Sequence, residues 1–113
     1  MSRKININGI SINIFQVEAN EPKAPLFCFH HGAGHTLQTW IPVVNLLKTM
    51  MDCHILIFDC RGHGATISDC NISLEQLSLD MTELLNVLYP EFPPTILVGH
   101  RLIKNFNLVW VER

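Results

Sequence analysis

The sequence predicts an α/β chain in which a β-hairpin leads into parallel strands alternating with helices. Three observations predict it. Isoleucines recur at every second position on both sides of Asn8-Gly9; three short runs, at 26–29, 54–59 and 95–98, are largely apolar rather than alternating; and the stretches between those runs carry apolar residues at helical spacing. Continuously apolar strands are the kind buried on both faces, and strands that alternate with helices pair in parallel because each crossover must travel back along the sheet.

Ile5 and Ile7, then Ile10, Ile12 and Ile14, keep period two around Asn8-Gly9. Those two residues tolerate positive φ, as a two-residue type I′ turn requires, so the chain opens with a hairpin. A polar connection over 18–25 precedes Leu26-Phe27-Cys28-Phe29, the first buried strand. Between Gln38 and Met51, the spacing of Trp40, Val43, Val44, Leu47 and Met50 describes a helix with one face on the sheet. His54-Ile55-Leu56-Ile57-Phe58-Asp59 is the second such strand, and a loop follows to Asn71. Ser73 and Gln76 fit a capping box ahead of a long helix with the stripe Leu74, Leu77, Met81, Leu84, Leu85 and Leu88, stopped by Pro90, Pro93 and Pro94. Thr95-Ile96-Leu97-Val98 is the third buried strand. The tail from Arg101 changes character, because Leu108-Val109-Trp110-Val111 reads as strand where the alternation calls for helix.

Length and composition bound the function. The chain has 113 residues, 48% hydrophobic and 16% charged, enough apolar material for one domain with a core. A net charge of −2 with scattered Lys and Arg gives no footprint for nucleic acid or an anionic membrane. The N-terminus lacks the apolar core of a secretory signal and no apolar run is long enough to span a bilayer, so the cytosol, with the nucleus open to the chain, is the expected compartment. Cys28, Cys53, Cys60 and Cys70 form no Cys-x-x-Cys pair and are expected as reduced thiols.

Three segments just past the C-terminal ends of the parallel strands are positioned to build a site. The first is His30-His31-Gly32-Ala33-Gly34-His35. A turn of small residues lets backbone N–H groups approach a ligand oxygen, as in half of an oxyanion hole; a tight strand-to-helix turn would use the same glycines. The second is Asp59-Cys60-Arg61-Gly62-His63-Gly64, where Asp59 and Arg61 are expected to pair and act as scaffold. Cys60 and His63 suggest a thiolate with its base, but no third group orients them, and a catalytic role is not expected. The third, Val98-Gly99-His100-Arg101-Leu102-Ile103, follows the Gly-x-Ser-x-Gly elbow with two departures: Arg101 stands at the nucleophile position and Ile103 at the second glycine. The histidines show no metal-binding spacing, and His30 and His31 are expected on opposite sides of a strand, so neither metal nor cofactor is expected.

Together these segments resemble the α/β-hydrolase superfamily and, within it, the protein phosphatase methylesterases. The likeness covers about residues 20–100: the apolar strand into His31-Gly32-Ala33-Gly34-His35-Thr36, Trp40, the Asp59-x-Arg61-x-His63-Gly64 loop, the Leu-rich helix, and Pro93-Pro94 before Ile96-Leu97-Val98-Gly99-His100. The resemblance implies the N-terminal portion of an α/β-hydrolase domain over residues 1–100, with an incomplete sheet and a divergent tail over 101–113. It also implies a serine carboxylesterase that removes the methyl ester from the C-terminal leucine of a type-2A protein phosphatase catalytic subunit, its partner. In such an enzyme a serine attacks the carbonyl, a histidine held by an aspartate moves the proton, and two backbone N–H groups hold the oxyanion. By resemblance Gly32, Ala33 and Gly34 form the oxyanion loop, with Ala33 N–H the donor, and Gly99 and His100 form the run-in to the elbow.

The family serine falls on Arg101, whose guanidinium is cationic at any working pH and cannot attack a carbonyl. The triad acid and histidine would follow later in chain order. This form is therefore expected to be truncated and inactive, and a non-catalytic phosphatase-binding module or a non-functional product are the alternatives. A partial sheet also predicts that the 95–98 strand is an exposed edge, a template for self-association, unless the 106–111 tail folds back over it.

Overall fold

A computed structural model describes residues 2–31, 36–68, 73–91 and 93–99, together with the backbone of 108–111. Strands β1 (Ser2–Ile7) and β2 (Ile10–Val17) form the expected hairpin, with Ile7 opposite Ile10. Asn8 at φ 48° and Gly9 at φ 82° are both left-handed, as a type I′ turn demands. Strand β3 (Leu26–His30) runs to a 3-10 turn, Leu37–Trp40, and helix α1 (Ile41–Met50); then follow β4 (His54–Phe58), α2 (Leu74–Leu88), β5 (Thr95–Gly99) and β6 (Leu108–Val111).

Among the described residues the sheet has six strands in the order β1-β2-β4-β3-β5-β6. Strand β3 is central and runs parallel to β4 on one side and to β5 on the other. The hairpin joins antiparallel through β2 and β4. Because the chain leaves β3 in one direction for β4 and returns past it to β5, right-handed crossovers place the two helices on opposite faces. Two buried clusters show this. One packs Leu77, Leu84, Leu85 and Tyr89 against Ile12, Ile14, Cys28, Leu56 and Phe58, and the other packs Val44 and Leu37 against Phe29, Ile55 and Ile57. Val44 and Leu84 are each fully buried, and removing such a side chain from water stabilises the fold by about 2 kcal/mol.

Several elements differ from expectation. The α1 stripe is narrower, with Val44 buried while Val43 and Met50 face outward, because the 3-10 turn replaces the helix's first turn. Pro42 sits in the first turn of α1, where its missing N–H leaves no bond unmade. At α2 only half of the capping box forms: Ser73 Oγ accepts from the Gln76 amide at 3.1 Å, but the Gln76 side chain donates to Asp80 at 2.9 Å. Of the two outcomes expected for β5, the exposed edge is corrected and the fold-back of the tail is what forms. Strand β6 pairs antiparallel with β5 from Thr95 opposite Val111 to Val98 opposite Leu108, so β5 offers no free edge for self-association. No helix among the described residues is long and apolar enough to cross a membrane.

Candidate functional site

Parallel register brings the ends of the three strands that the motif segments follow to one edge. His30 at the end of β3 is level with Phe58 on β4 and Gly99 on β5, so the chain leaves all three strands side by side at their C-terminal ends. Strand order reverses about β3, and open α/β sheets build their sites at such a switch point. Of the expected site residues, Gly99 is the buried last residue of β5. Gly32, Ala33, Gly34, His100 and Arg101 lie outside the described residues.

The loop after β4 is built around Asp59, and the expected Asp59–Arg61 pair is not what forms. Asp59 Oδ1 accepts from the Leu37 amide at 2.7 Å, while Oδ2 accepts from Asn13 Nδ2 and the Ala65 amide, both at 3.0 Å. The carboxylate thereby joins β2, β4 and the start of the 3-10 turn. Arg61 reaches α2 instead, donating from Nε to Asp80 Oδ2 at 2.9 Å and from its terminal nitrogen to Oδ1 at 3.1 Å. Asn8 and Gln76 also donate to Asp80 Oδ1. Burial works to raise the Asp80 pKa, but the bonds from Arg61, Asn8 and Gln76 outweigh it and hold the carboxyl below its ordinary value. Two neighbouring residues therefore serve different partners because each carboxylate is already saturated where it stands.

Gly64 closes this loop at φ 51°, and a Cβ there would lie 2.5 Å from the Asp59 carboxyl carbon. Both the left-handed backbone and the close approach demand glycine. Thr66 completes the tie, its Oγ1 accepting from the Asn13 amide at 2.8 Å.

The expected absence of a Cys60–His63 catalytic pair has a geometric rationale. Cys60 Sγ does lie 3.2 Å from His63 Nδ1. That nitrogen also lies 3.1 Å from the Arg61 carbonyl oxygen, which can only accept and so competes with sulfur for Nδ1 by favouring the tautomer protonated there. Burial, then the charges of Asp59 and Asp80, push the thiol up to about 12. A thiolate nucleophile is therefore disfavoured. Cys28, Cys53 and Cys60 are buried and carry no disulfide bond, and Cys70 lies outside the described residues.

His31 is fully buried, and its Nε2 accepts from the Cys60 amide at 2.9 Å. His30 and His31, expected on opposite sides of the strand, have ring centres 5.5 Å apart. Among the described residues no group of His, Cys, Asp or Glu is arranged to hold a metal ion. Sequence reading missed Asp80, Asn13 and Thr66. Asp80 had a signal, a carboxylate set within the apolar stripe between Leu77 and Leu84; Asn13 and Thr66 had none, because their roles depend on strands meeting far from them in sequence.

Solved structures place this architecture. The chain superposes on an epoxide hydrolase from Vigna radiata with TM-score 0.74 at 22% identity, covering 88% of this chain and 31% of that one. An enol-lactonase from Burkholderia xenovorans matches with TM-score 0.72 at 22% identity, over 86% of this chain and 36% of the other. The fold is thus that of the α/β-hydrolases, present in part.

Within that class the sequence is similar to the protein phosphatase methylesterases. It is 37% identical to protein phosphatase methylesterase 1 of Gibberella zeae over 90 residues, 71% of this chain and 22% of that protein. It is 38% identical to the probable enzyme of Dictyostelium discoideum over 94 residues, 75% of this chain and 29% of that one. The human protein is 28% identical over 98 residues, 84% of this chain and 25% of its own length. The chain spans about a quarter of the length of these relatives. No family model matches it.

Proposed function

We propose that this chain is a serine-hydrolase scaffold of the phosphatase methylesterase type, shaped for the methylated C-terminal leucine of a type-2A protein phosphatase catalytic subunit, and that with arginine at position 101 it does not itself turn over esters. The observation that carries the reading is the joint one of sequence and register: relatives named for this activity match the segment, and β3, β4 and β5 end level with one another. In the proposed site Gly32, Ala33 and Gly34 offer backbone N–H groups to an ester carbonyl, Ala33 being the donor, and Gly99 and His100 lead into the elbow. The reading calls for no cofactor and places the chain in the cytosol, with the nucleus open to it.

Position 101 decides turnover. A guanidinium has no lone pair to offer a carbonyl, and losing a triad nucleophile costs on the order of 10⁶ in rate, roughly 8 kcal/mol of barrier. Ser73 offers no substitute, since its hydroxyl caps α2. The proposal makes two measurements decisive on the full chain. A fluorophosphonate probe should leave it unlabelled and a short-chain activated ester should be hydrolysed no faster than in buffer; stoichiometric labelling overturns the inactivity. Retention of the methylated phosphatase catalytic subunit on immobilised chain marks a binding module that recognises without hydrolysing, whereas its absence with no turnover leaves a product without function.

A further inference from the structure

The hairpin turn holds the one Asn-Gly step in the chain; every other asparagine precedes Ile, Glu, Leu, Val or Phe. The backbone nitrogen that follows an asparagine can close a five-membered ring on the side-chain carbonyl carbon, and a bulky side chain on the following residue hinders that approach. Gly9 has none. Asn8 and Gly9 are both exposed, nothing lies within 4 Å of where a Gly9 Cβ would stand, and among the described residues no acceptor meets the Gly9 N–H.

The Asn8 side chain meanwhile serves a buried centre. Its Nδ2 donates to Asp80 Oδ1 at 3.0 Å, beside the bonds that Gln76 and Arg61 make to the same carboxylate. Asn8 thereby ties the tip of the hairpin to the residue through which α2 holds the loop after β4. A surface cavity of about 390 Å³, lined in part by Asn8, Arg61, Gln76 and Glu83, brings water to the same amide and sets a second carboxylate at the same cavity.

We propose that Asn8 is a site of spontaneous deamidation, and that the acid formed there replaces the Asn8–Asp80 hydrogen bond with two facing carboxylates and uncouples the hairpin tip from α2. The Gly9 nitrogen attacks Asn8 Cγ. The new C–N bond closes a succinimide, the Cγ–Nδ2 bond breaks, and Nδ2 leaves as ammonia with the Gly9 amide proton. Water then opens the ring at either carbonyl and leaves aspartate or isoaspartate at position 8. One water is consumed and one ammonia released, with no oxidant or cofactor. Ring closure requires Asn8 to leave its left-handed turn form, an opening that costs least at a hairpin tip and that the bond to Asp80 opposes. Once the amide has become a carboxylate, like charge beside the buried Asp80 opposes reclosure, so the change runs one way. The site is independent of ester chemistry and holds whether or not the chain recognises a phosphatase.

Peptide mapping by mass spectrometry, on the full chain incubated in mildly alkaline buffer both native and in guanidinium chloride, tests the site. Position 8 should convert before every other asparagine in both samples, as a mixture of aspartate and isoaspartate, and about fivefold or more slowly in the native chain, the factor that one hydrogen bond represents. Another asparagine converting first, or an intact Asn8 in the native chain once the denatured chain has converted completely, overturns it. The consequence is read by urea unfolding. Asn8→Asp should lower the midpoint by about 0.5 M, and should lower it less when Asp80→Asn has removed the opposing charge. No loss in Asn8→Asp, or an equal loss in both backgrounds, overturns the uncoupling. If Asp80→Asn does not fold, salt decides: the deficit of Asn8→Asp against the parent must shrink as added salt screens the two carboxylates, and a deficit unchanged by salt refutes the repulsion.

Discussion

The Asn8-Gly9 turn and the loop after β4 both reverse the chain with left-handed residues, Gly9 at φ 82° and Gly64 at φ 51°, yet different forces hold them. Around Gly9 nothing lies within 4 Å of an added Cβ, and the turn rests on the pairing of β1 with β2 on either side of it. Gly64 is pressed against Asp59, whose carboxylate is bonded to residues of β2, the 3-10 turn and its own loop. The hairpin is a local structure that tertiary contacts merely use. The loop is a tertiary structure whose backbone is shaped by partners far away in sequence, and it cannot take its form until the sheet and α2 are in place.

That difference predicts where damage is greatest. Asp80 is 2% exposed and receives Arg61, Asn8 and Gln76. Asp80→Ala leaves the Arg61 guanidinium buried without its carboxylate, and breaking such a pair costs about 3–5 kcal/mol. Urea unfolding followed by circular dichroism measures it. A loss below about 1 kcal/mol would mean that the pair behaves as a solvated surface bridge and that the loop is not anchored through α2.

Gly64→Ala comes next. It combines a left-handed backbone with a Cβ driven into the Asp59 carboxylate, and a loss of about 3 kcal/mol is expected. Gly9→Ala meets the backbone penalty alone, about 1 kcal/mol. Equal losses in the same unfolding assay would erase the distinction between the two turns.

The same contrast explains what the sequence disclosed. The hairpin was legible because Asn8-Gly9 and the alternating isoleucines are local signals, and the three buried strands were legible because apolar runs bounded by Gly, Pro and polar residues have few other readings. The level ends of β3, β4 and β5 followed from the α/β alternation. What escaped was partner choice: Asp59 and Arg61 stand two apart and look like a pair, but their side chains are claimed by Asn13, Leu37, Ala65 and Asp80. The tail's strand-like run allowed it to cover the edge of β5, but its antiparallel direction and register were not legible, since both depend on which edge is open.

His30 provides the gentlest perturbation and separates its buried imidazole from the carboxylate loop by pH. Its folded pKa, about 4, lies below the ordinary 6.5, so the unfolded chain binds the proton first. The stability tied to keeping His30 neutral is complete above about pH 6.5, declines as pH falls and is lost below about pH 4, in all roughly 3 kcal/mol. The Asp80 carboxyl, held below its ordinary value, titrates further to the acid side and leaves that window clear. His30→Leu removes a buried nitrogen lacking a partner but also the bond from Nδ1 to the His31 carbonyl at 2.8 Å, so stability near pH 7 should fall by about 1 kcal/mol. Between about pH 6.5 and pH 4 the variant should lose less stability than the parent, by most of that 3 kcal/mol. Urea midpoints across that range measure both quantities; parallel pH profiles for the two proteins would show that the proton uptake belongs to another group.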